Sequence, residues 1–439
     1  MKISFKGGVH PPENKHLCKG LKIKELPAPE TAYFALQQSI GSPAEPVVKK
    51  GDSVKRGTCI ARATGFISSN VHSSISGEVI DIKKHPHPLL GCARAVIVKS
   101  DGQDTPCGSF QESDFSAALF DKNKILKAVS DSGIVGLGGA AFPTHVKLNP
   151  PAEKPINTVI INGAECEPYL TSDHSLMLSS AEKIVKGAIL ITKAVNAKEC
   201  VIAVEKNKPD AIDLIKKACE KYNNLKVVAF NVKYPQGAEK QLIFSVTAKE
   251  VPSGTLPMDV GVLVQNVGTA NAVYEAVVMK KPLYERVVTL SGRGILNPCN
   301  WKVRIGTPFR NVINAVGLSG ETVEKLIMGG PMMGLAQYTD EVPVIKGTSG
   351  ILVLTKKEAL PFKHLPCIRC GKCVEVCPMG LIPADLSKFV SGEKTDEAKE
   401  IGLLDCMECG SCNYICPSGT NLLQYIKLGK YELMRKKNA

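Results

Sequence analysis

Residues 158–168 read TVIINGAECEP, an apolar run over Thr158–Asn162 that ends in a loop carrying two carboxylates. A short apolar run bounded by Gly and Pro is typical of a buried strand. Similar runs follow along the chain, with helical stretches between them. The further predicted strands are Cys200–Glu205, Val227–Val232 and Val260–Gln265, and the predicted helices are Ala181–Val195, Pro209–Tyr222 and Glu239–Thr247. Strands that alternate with helices predict a mainly parallel, doubly wound α/β sheet.

Ligands of such sheets bind beyond the carboxyl ends of the strands. This rule directs attention to three loops, 162–168 (NGAECEP), 234–240 (YPQGAEK) and 266–269 (NVGT). A fourth segment, GLGGAAFP at 136–143, can bring bare backbone N–H groups together as a phosphate cradle. It fails as a dinucleotide fingerprint, because a helical stretch precedes it and Ala141 stands at the third glycine position.

Eight of the sixteen cysteines form two runs, CIRCGKCVEVCP from Cys367 and CMECGSCNYICP from Cys406. This spacing is that of two-cluster ferredoxins, in which the last Cys of each run ligates the other cluster. The predicted cluster ligands are Cys367, Cys370, Cys373 and Cys416 for one [4Fe–4S] cluster, and Cys406, Cys409, Cys412 and Cys377 for the other. Zinc is the alternative, but a zinc ribbon needs only four thiolates. The intervening residues 378–405 look helical, which predicts a helical ferredoxin module.

The remaining segments are β-rich or basic. Residues 46–82 resemble a biotinyl/lipoyl-like barrel-sandwich hybrid, but 57–82 contain no Lys, so we expect a docking or packing module rather than a swinging-arm carrier. Residues 286–356 read as a small β-grasp module. The last stretch, 426–439, has five basic residues and one acid, which favours a solvated frayed helix over a membrane or partner contact.

Together these motifs resemble a known family. GLGGAAFPTHVK, NGAECEP, YPQGAEK and QNVGT resemble the FMN- and NADH-binding elements of the flavoprotein subunit of respiratory complex I. With the opening FKGGVHPPENK, the lipoyl-like module and the two ferredoxin runs, nearly the whole chain is similar to the C subunits of the Rnf (Rsx) electron-transport complexes.

The resemblance implies a role for individual residues. It places Gly136, Gly138 and Lys147 at the FMN phosphate and ribityl chain, and Phe142 beside the nicotinamide nucleotide. The flavin would be surrounded by Asn162, Glu165, Tyr234, Asn266 and Thr269, and NADH would be held by Glu167, Glu239 and Lys240. The chain departs from the complex I pattern at Ala141, Ala238 and Pro150. Glu165 and Glu167, the predicted catalytic pair, have capping or salt-bridge roles as their alternative.

The predicted domains are a barrel-sandwich hybrid (1–120), an FMN/NADH-binding α/β domain (121–285), a soluble-ligand-binding β-grasp module (286–360), a two-cluster ferredoxin domain (361–425) and a basic tail (426–439). An apolar share of 44% and a charged share of 22% argue against wholesale disorder, and no stretch suits a spanning helix. The net charge of +13 favours anionic partners without choosing among them. The start, MKISFKGG, lacks the apolar core of a secretory signal, so we expect a cytoplasmic protein.

The expected function is electron transfer between NADH and ferredoxin, through FMN and two [4Fe–4S] clusters, in a peripheral subunit of an ion-translocating membrane complex. The expected partners are the other subunits of that complex, at the cytoplasmic face of the membrane, with ferredoxin reached indirectly. Two alternatives remain open: a flavin/iron–sulfur cobalamin reductase of bacterial microcompartments, and a non-catalytic electron-wiring subunit. Nucleic-acid binding has little support, because aromatic residues make up only 5% of the chain and no binding motif is present.

Overall fold

The computed structural model of the chain describes residues 4–359 and 364–438. The predicted boundary between the β-grasp and ferredoxin parts, at 360/361, lies outside the described residues. Four folded parts follow one another along the chain, and the β-rich and α/β nature predicted for each is present.

The first part consists of short antiparallel strands in two sheets. One sheet has the order β2-β8-β7-β4 and the other β3-β5-β6. The strands are β1 (Lys24–Glu25), β2 (Thr31–Ala35), β3 (Glu45–Pro46), β4 (Ser53–Val54), β5 (Cys59–Arg62), β6 (Val71–His72), β7 (Gly77–His87) and β8 (Gly91–Ser100). β1 belongs to neither sheet, because it pairs with a strand of the β-grasp part. The residues before Thr31 therefore reach beyond the module to which the prediction assigned them.

The second part is a four-stranded sheet with the order β11-β10-β9-β12, in which every pair is parallel. Its elements are α1 (Lys122–Asp131), α2 (Thr144–Lys147), β9 (Thr158–Gly163), α3 (Ser172–Ala194), β10 (Glu199–Glu205), α4 (Pro209–Cys219), β11 (Leu225–Phe230), α5 (Glu239–Thr247), β12 (Val262–Asn266) and α6 (Val267–Val278). The central strands are buried on both faces, which explains their continuous apolar runs. This is the predicted doubly wound sheet.

The helix α3 begins at Ser172, well before the predicted start at Ala181. Its first half is polar and contains a break at Ser180 (φ −140°, ψ 29°), so its periodicity is weak in the sequence. The second half packs closely on α6. A Cβ at Gly187 would lie 1.9 Å from the carbonyl oxygen of Ala270, so only glycine permits this approach.

The third part is a six-stranded sheet of order β1-β14-β13-β17-β15-β16, covered by one helix. Its elements are β13 (Glu285–Ser291), β14 (Cys299–Arg304), α7 (Phe309–Val316), β15 (Val323–Met328), β16 (Leu335–Ala336) and β17 (Gly350–Thr355). The helix turns Phe309, Val312 and Val316 into a core shared with the sheet, at the spacing of one helical face.

The fourth part is helical, and no strand occurs between residues 364 and 438, as predicted. Its helices are α8 (Lys372–Glu375), α9 (Pro383–Ser391), α10 (Thr395–Glu400), α11 (Ser411–Ile415) and α12 (Leu422–Asn438). The predicted start of a basic tail at 426 falls inside α12. Ile426 is fully buried against α9, and Gly429 lies against Val390 and Leu403, because α12 continues through this stretch as part of the ferredoxin core.

Lys346 joins three of the four parts. Its side chain is buried and its ammonium donates to Ser69 Oγ at 3.0 Å, to the carbonyl of Asn70 and to the carbonyl of Gly133 at 2.7 Å. Ser69 and Asn70 precede β6, Gly133 follows α1, and Lys346 precedes β17. The first part thus packs against its neighbours at the end of a hairpin, as expected for a packing module.

We expect Lys346→Met to destabilise the protein by about 3 kcal/mol, because three buried acceptors would lose their donor. Urea denaturation followed by hydrogen exchange at residues 69–70 and 133 would measure the loss. Lys84→Met, at an exposed position of β7, is the matched control and should leave the midpoint unchanged. If the two variants were equally stable, the hydrogen bonds of Lys346 would not be what holds the three parts together.

Candidate functional site

The predicted ligand loops meet at the carboxyl edge of the parallel sheet. β9 is followed in sequence by β10 on one side, whereas β12 lies on its other side. The order in which strands are added to the sheet therefore reverses between β9 and β12, which is where ligands of open α/β sheets bind. Asn162, the last residue but one of β9, lies beside Asn266 at the end of β12. The structure thus brings together the loops that carry these two predicted residues.

Hydrogen bonds tie the loops to one another. Asn162 Nδ2 donates to the carbonyl of Gly237 at 2.8 Å, which joins loops 162–168 and 234–240. Thr269 Oγ1 accepts from the amide of Leu137 at 2.9 Å, which fixes the glycine-rich segment to the first turn of α6. Asn266 caps α6 through the amide of Gly268. These predicted residues hold the edge in one arrangement.

The glycines of 136–139 differ in what surrounds them. A Cβ at Gly138 would come within 2.7–2.9 Å of the Asn266 side chain, so this position is glycine for internal packing. A Cβ at Gly136 would make only ordinary contact with Phe142, and one at Gly139 would meet nothing within 4 Å. Gly139 therefore leaves open space above the loop, as a cradle for a ligand requires. Gly139 is not among the cofactor-binding residues predicted from the sequence.

Ala141 occupies a position where the complex I pattern has a further glycine. Its φ is 53°, in the left-handed region that glycine enters without strain. The departure noted in the sequence therefore leaves the backbone conformation of the loop in place, at a cost of about 1–2 kcal/mol for an L-residue. Phe142, next in the chain, is half-buried, and its carbonyl accepts from the amide of Gly136.

Lys147 and Glu239 form an ion pair of 2.6 Å across the edge, between α2 and the start of α5. Both side chains are partly exposed, so the pair contributes little to stability. Lys240, the next residue, is half-buried. Lys147 ends α2, which directly follows the glycine-rich segment, so its charge is available to a phosphate held there.

Glu165 lies at the N-terminus of α3. Its carboxylate accepts from the amides of Asp173 at 2.8 Å and His174 at 3.3 Å, and from Ser172 Oγ. It is 7% exposed. Glu165 thus caps α3, which is the alternative role considered for it in the sequence. It can do so because α3 begins earlier than predicted. The predicted direct contact of Glu165 with a flavin stays a prediction.

Glu167 and Tyr234 connect the sheet edge to the β-grasp and ferredoxin parts through hydrogen bonds. Glu167 accepts from the amides of Met332 at 3.1 Å and Met333 at 2.8 Å, in the loop after β15. The hydroxyl of Tyr234 lies 3.5 Å from the carboxylate of Glu167 and donates to the carbonyl of Cys409 at 2.6 Å. A predicted flavin-site residue therefore touches a predicted cluster ligand directly.

Burial raises the pKa of Glu167 to about 7, although the two amide hydrogen bonds oppose the shift. The folded carboxyl then keeps its proton to a higher pH than the unfolded one, whose pKa is 4.5. Because folding takes up a proton in this window, the free energy of unfolding falls as the pH rises from 4.5 to 7. Asp173, whose pKa burial also raises to about 7, acts in the same direction.

We expect the Glu167→Gln variant to show a shallower decline of stability over that window, with the remaining slope due largely to Asp173. Urea midpoints measured at pH 5 and pH 8 test this. Glu78→Gln, at an exposed position of β7, should keep the slope of the unmodified protein. A Glu167→Gln slope that matches the control would show that this carboxyl titrates normally.

The eight cysteines of the two runs surround two separate cavities. One cavity is lined by the inner set, Cys377, Cys406, Cys409 and Cys412. The other is lined by the outer set, Cys367, Cys370, Cys373 and Cys416. Each cavity thus receives three thiols from one run and the fourth from the other, the crossed arrangement predicted from the spacing. In the described residues, no three His, Cys, Asp or Glu side chains are grouped as a site for a single metal ion.

The loops around the thiols have the features of a cluster site. Backbone amides of Arg369, Leu381 and Glu408 donate to the sulfur atoms of Cys367, Cys377 and Cys406, each at 3.4 Å. Hydrogen bonds to the sulfur ligands are one way in which a protein sets the potential of an iron–sulfur cluster. The donor set, with four thiols to each cavity, fits a four-iron cluster in both places.

The N-terminal segment, residues 7–9, contacts both the backbone next to the inner set and the loop 234–240 at the sheet edge. The amide of Gly8 donates to the carbonyl of Val376 at 2.8 Å, and Val9 pairs with Tyr234. A Cβ on Gly7 would lie 2.8 Å from the backbone of Cys377, so the segment needs its glycines to come this close. These contacts were not predicted, since FKGGVHPPENK shows no periodicity that would assign it a partner.

The edge also offers space and unpaired polar atoms. A cleft of about 300 Å³ lies where α3, α6 and β13 meet. Leu137 is the one residue of the glycine-rich segment that lines it, and none of the predicted FMN residues does. Thr144 Oγ1 and Gln265 Nε2 are buried without a hydrogen-bond partner among the described residues. The open space above Gly139 and the positive charge of Lys147 fit a phosphate-bearing cofactor such as FMN. None of the helices in the described ranges combines the length and the apolar character needed to cross a membrane.

Family comparisons agree with this division of the chain. The RnfC barrel sandwich hybrid domain matches residues 3–103, and the Nuo51 FMN-binding domain matches 129–275. The SLBB domain matches 287–336, and the 4Fe-4S dicluster domain matches 366–420. They confirm the predicted fold class and the predicted FMN and iron–sulfur cofactors, and the last match decides against zinc.

Solved structures show the same fold at low sequence identity. The NAD+-reducing [NiFe]-hydrogenase in its air-oxidized state aligns with a TM-score of 0.53 and 20% identity, over 68% of this chain and 63% of that chain. The H2-reduced state gives 0.52 and 20%, over 72% and 62%. This chain thus spans less than two thirds of the hydrogenase chains that it matches.

Curated relatives align over nearly the whole length. In Clostridium ljungdahlii, the C subunit of the proton-translocating ferredoxin:NAD(+) oxidoreductase complex is 47% identical over 98% of this chain and 94% of its own length. The Na(+)-translocating counterpart of Acetobacterium woodii is 45% identical over 98% and 97%. In Rhodobacter capsulatus, the C subunit of the ion-translocating oxidoreductase complex is 41% identical over 92% and 78%. The chain belongs to the RnfC family, the C subunits of Rnf-type ion-translocating oxidoreductase complexes.

Proposed function

We propose that the chain is a peripheral subunit of a membrane-bound, ion-translocating NAD:ferredoxin oxidoreductase, at the cytoplasmic face of the membrane. It passes electrons between NADH and the rest of the complex through FMN and two [4Fe–4S] clusters. The observation that carries the proposal is the 2.6 Å hydrogen bond from Tyr234, in a loop of the sheet edge, to the carbonyl of Cys409 in the inner set. It joins a nucleotide-type site to an electron-transfer site inside one polypeptide.

The residues of the sheet edge would hold FMN at the carboxyl ends of the neighbouring strands β9 and β12. Gly139 leaves room above its backbone for the cofactor, and Gly136 and Gly138 shape the same loop. Lys147 supplies a positive charge for the phosphate, and its pairing with Glu239 keeps it oriented. Asn162, Asn266 and Thr269 keep their loops in register, so the site is formed before the cofactor arrives.

Bound FMN exchanges two electrons with a nicotinamide nucleotide and single electrons with iron–sulfur clusters. The chain contributes position and electrostatics to this chemistry. Phe142 belongs to the glycine-rich segment and Glu239 pairs with Lys147, which follows it, so these two residues and the neighbouring Lys240 would bind the nucleotide. Glu167 and Tyr234 lie on the opposite side of loop 162–168, where they fix the distance between the edge and the inner set. The side chain of Tyr234 is buried and that of Glu167 is half-buried.

Anaerobic purification with assays of iron, sulfide and FMN, followed by titration with NADH, tests the proposal. We expect about eight iron atoms and one FMN per chain, since two four-iron clusters are present. NADH should bleach the flavin absorbance first and then the broad cluster absorbance. A chain that binds both cofactors but shows no bleaching would be a wiring subunit with an inactive nucleotide site.

The relatives' names support the membrane complex over the alternative of a microcompartment cobalamin reductase. The same holoprotein distinguishes the two. Under the proposal, NADH oxidation with cob(II)alamin as the acceptor stays at the level without protein. Membranes that contain the remaining subunits should instead support NADH oxidation without cobalamin. Rapid cobalamin reduction by the isolated chain would favour the alternative.

A further inference from the structure

We propose that the surface around the outer set is the port through which the chain exchanges electrons, and that it binds an acidic protein domain carrying a one-electron centre. The surface, here called the outer face, consists of Leu365, Ile368, Val374 and Ile382 together with Arg369 and Lys372. The inference rests on the proposed function and adds the partner's chemistry and its place of contact.

Burial separates the two sets of thiols. In the inner set, Cys409 and Cys412 are only 7% and 8% exposed, and the sheet edge and the N-terminal segment cover them. In the outer set, Cys367 and Cys370 are exposed. Electron transfer weakens steeply with distance, so a partner must approach a centre that lies near the surface. The outer set is the one that offers this approach.

The outer face is apolar at its centre. Ile368 is 66% exposed, Leu365 56%, Ile382 48% and Val374 38%. Three of these side chains line the same cavity as the outer thiols. Single exposed apolar residues are normal, but a group that surrounds one functional centre marks an interaction site. A protein contact on this face would also remove water from around the outer thiols.

The charge at the rim of the outer face is basic. Arg369 and Lys372 line the cavity, and neither forms an ion pair within the ranges that the structure describes. An acidic partner would complement these charges and be oriented by them before contact. Asp385, also at the cavity, is the one acid among the residues that line it.

A protein fits this face better than a lipid surface does. Attachment to anionic lipid usually needs a cluster of roughly 4–8 basic residues, whereas the outer face supplies two. A bilayer, moreover, accepts no electron. In the proposed step no bond forms or breaks: one electron crosses the face, the side that gives it is oxidised, and the partner's centre is reduced by the same electron. The reverse direction has the same balance.

Two substitutions perturb the face while sparing the fold. Ile382 is the N-cap residue of α9, where Asp is a favourable cap, and Lys372 opens α8, where an acid suits the helix dipole. Ile382→Asp and Lys372→Glu are therefore suitable variants. Leu214→Asp and Lys216→Glu, at exposed positions of α4, are the matched controls.

The test measures binding of the flavin- and iron-loaded chain to membranes from cells that lack its gene. We expect Ile382→Asp to weaken binding by about 10-fold or more, as for a residue at the centre of an interface. Lys372→Glu should weaken binding and flatten its dependence on salt. Both variants should keep their flavin and its normal bleaching by NADH, because the sheet edge lies in another part of the chain, so failure of the docking surface is distinguishable from failure of the proposed function. Binding equal to that of the controls would overturn the proposal.

A zero-length carbodiimide cross-link identifies the class of partner. The reagent joins a lysine to a carboxylate in direct contact, so Lys372 should link to an Asp or Glu of another membrane-complex protein. Lys372→Arg keeps the charge and should lose the link, while Lys216 should give none. Binding of the chain to phosphatidylserine vesicles that Ile382→Asp abolishes would overturn the proposal in favour of lipid. A dimer of the chain, cross-linked through Lys372, would overturn it in favour of self-association.

Discussion

Replacing Cys377 with serine is expected to remove the inner cluster and to slow NADH-driven reduction of an external one-electron acceptor by at least about 100-fold. The magnitude follows because changes to residues that merely support metal ligands already cost about 10–100-fold. Cys377 is the last Cys of the first run, but it lines the cavity that holds the other three thiols of the second run. The inner set is also the one that contacts Tyr234, so its loss separates the sheet edge from the outer set. Iron should fall from about eight to about four per chain, and bleaching of the flavin by NADH should persist.

The crossed arrangement makes a sharper prediction about spectra. In reduced protein, the electron paramagnetic resonance spectrum of Cys377→Ser should match that of Cys406→Ser, and that of Cys416→Ser should match that of Cys367→Ser. Cys92→Ser, an exposed cysteine outside both sets, is the control and should retain both signals. If Cys377→Ser instead matched Cys367→Ser, each run would hold its own cluster, and the arrangement of the two cavities would be wrong.

Gly139→Val is expected to lower the affinity for FMN by about 10- to 100-fold, equivalent to the ~1–3 kcal/mol that an inserted side chain costs in a filled site. The protein itself has room for the new side chain, because a Cβ there would meet no atom within 4 Å. The loss should therefore appear in flavin content and in titration of the apoprotein with FMN, with no change in the urea midpoint. Iron content should also stay constant, because the cysteine sets lie in another part of the chain.

Two further glycines provide the comparison. Gly65→Val, in an exposed loop of the first part, should leave both flavin content and stability unchanged. Gly138→Ala should disturb the loop itself, because its Cβ would press on Asn266, so here stability and FMN binding should fall together. Full FMN affinity in Gly139→Val would place the cofactor elsewhere than above this backbone.

Features with a local signal were predictable from the sequence. The strand β9 and the helix α5 lie where the apolar runs placed them, and the Cys-x2-Cys-x2-Cys-x3-Cys-Pro spacing foretold which thiols share a cavity. These properties depend on neighbours a few residues apart. β11 and β12 begin two residues away from their predicted positions, an ordinary uncertainty where a strand gives way to a turn.

Contacts between distant segments were not predictable. Glu165 becomes a helix cap because α3 starts at Ser172, and the polar stretch before Ser180 hides that start. Glu167 meets the amides of Met332 and Met333 only because the β-grasp part folds onto the sheet edge. A resemblance transfers the type of residue and its position, but the hydrogen-bond partner depends on how the folded parts meet.

An early segment of the chain contacts a part that is made much later. Gly8 and Val9 bridge Val376 and Tyr234, so the clamp between the two electron-carrying parts joins segments that lie far apart in the polypeptide. During synthesis the early segment leaves the ribosome long before its partner exists. The α/β part can therefore fold and take up its cofactor first, whereas the inner thiols are enclosed only after the ferredoxin part has emerged. Gly8 and Val9 can therefore close on the ferredoxin part only after that part has been made, which places this contact among the last to form in the mature protein.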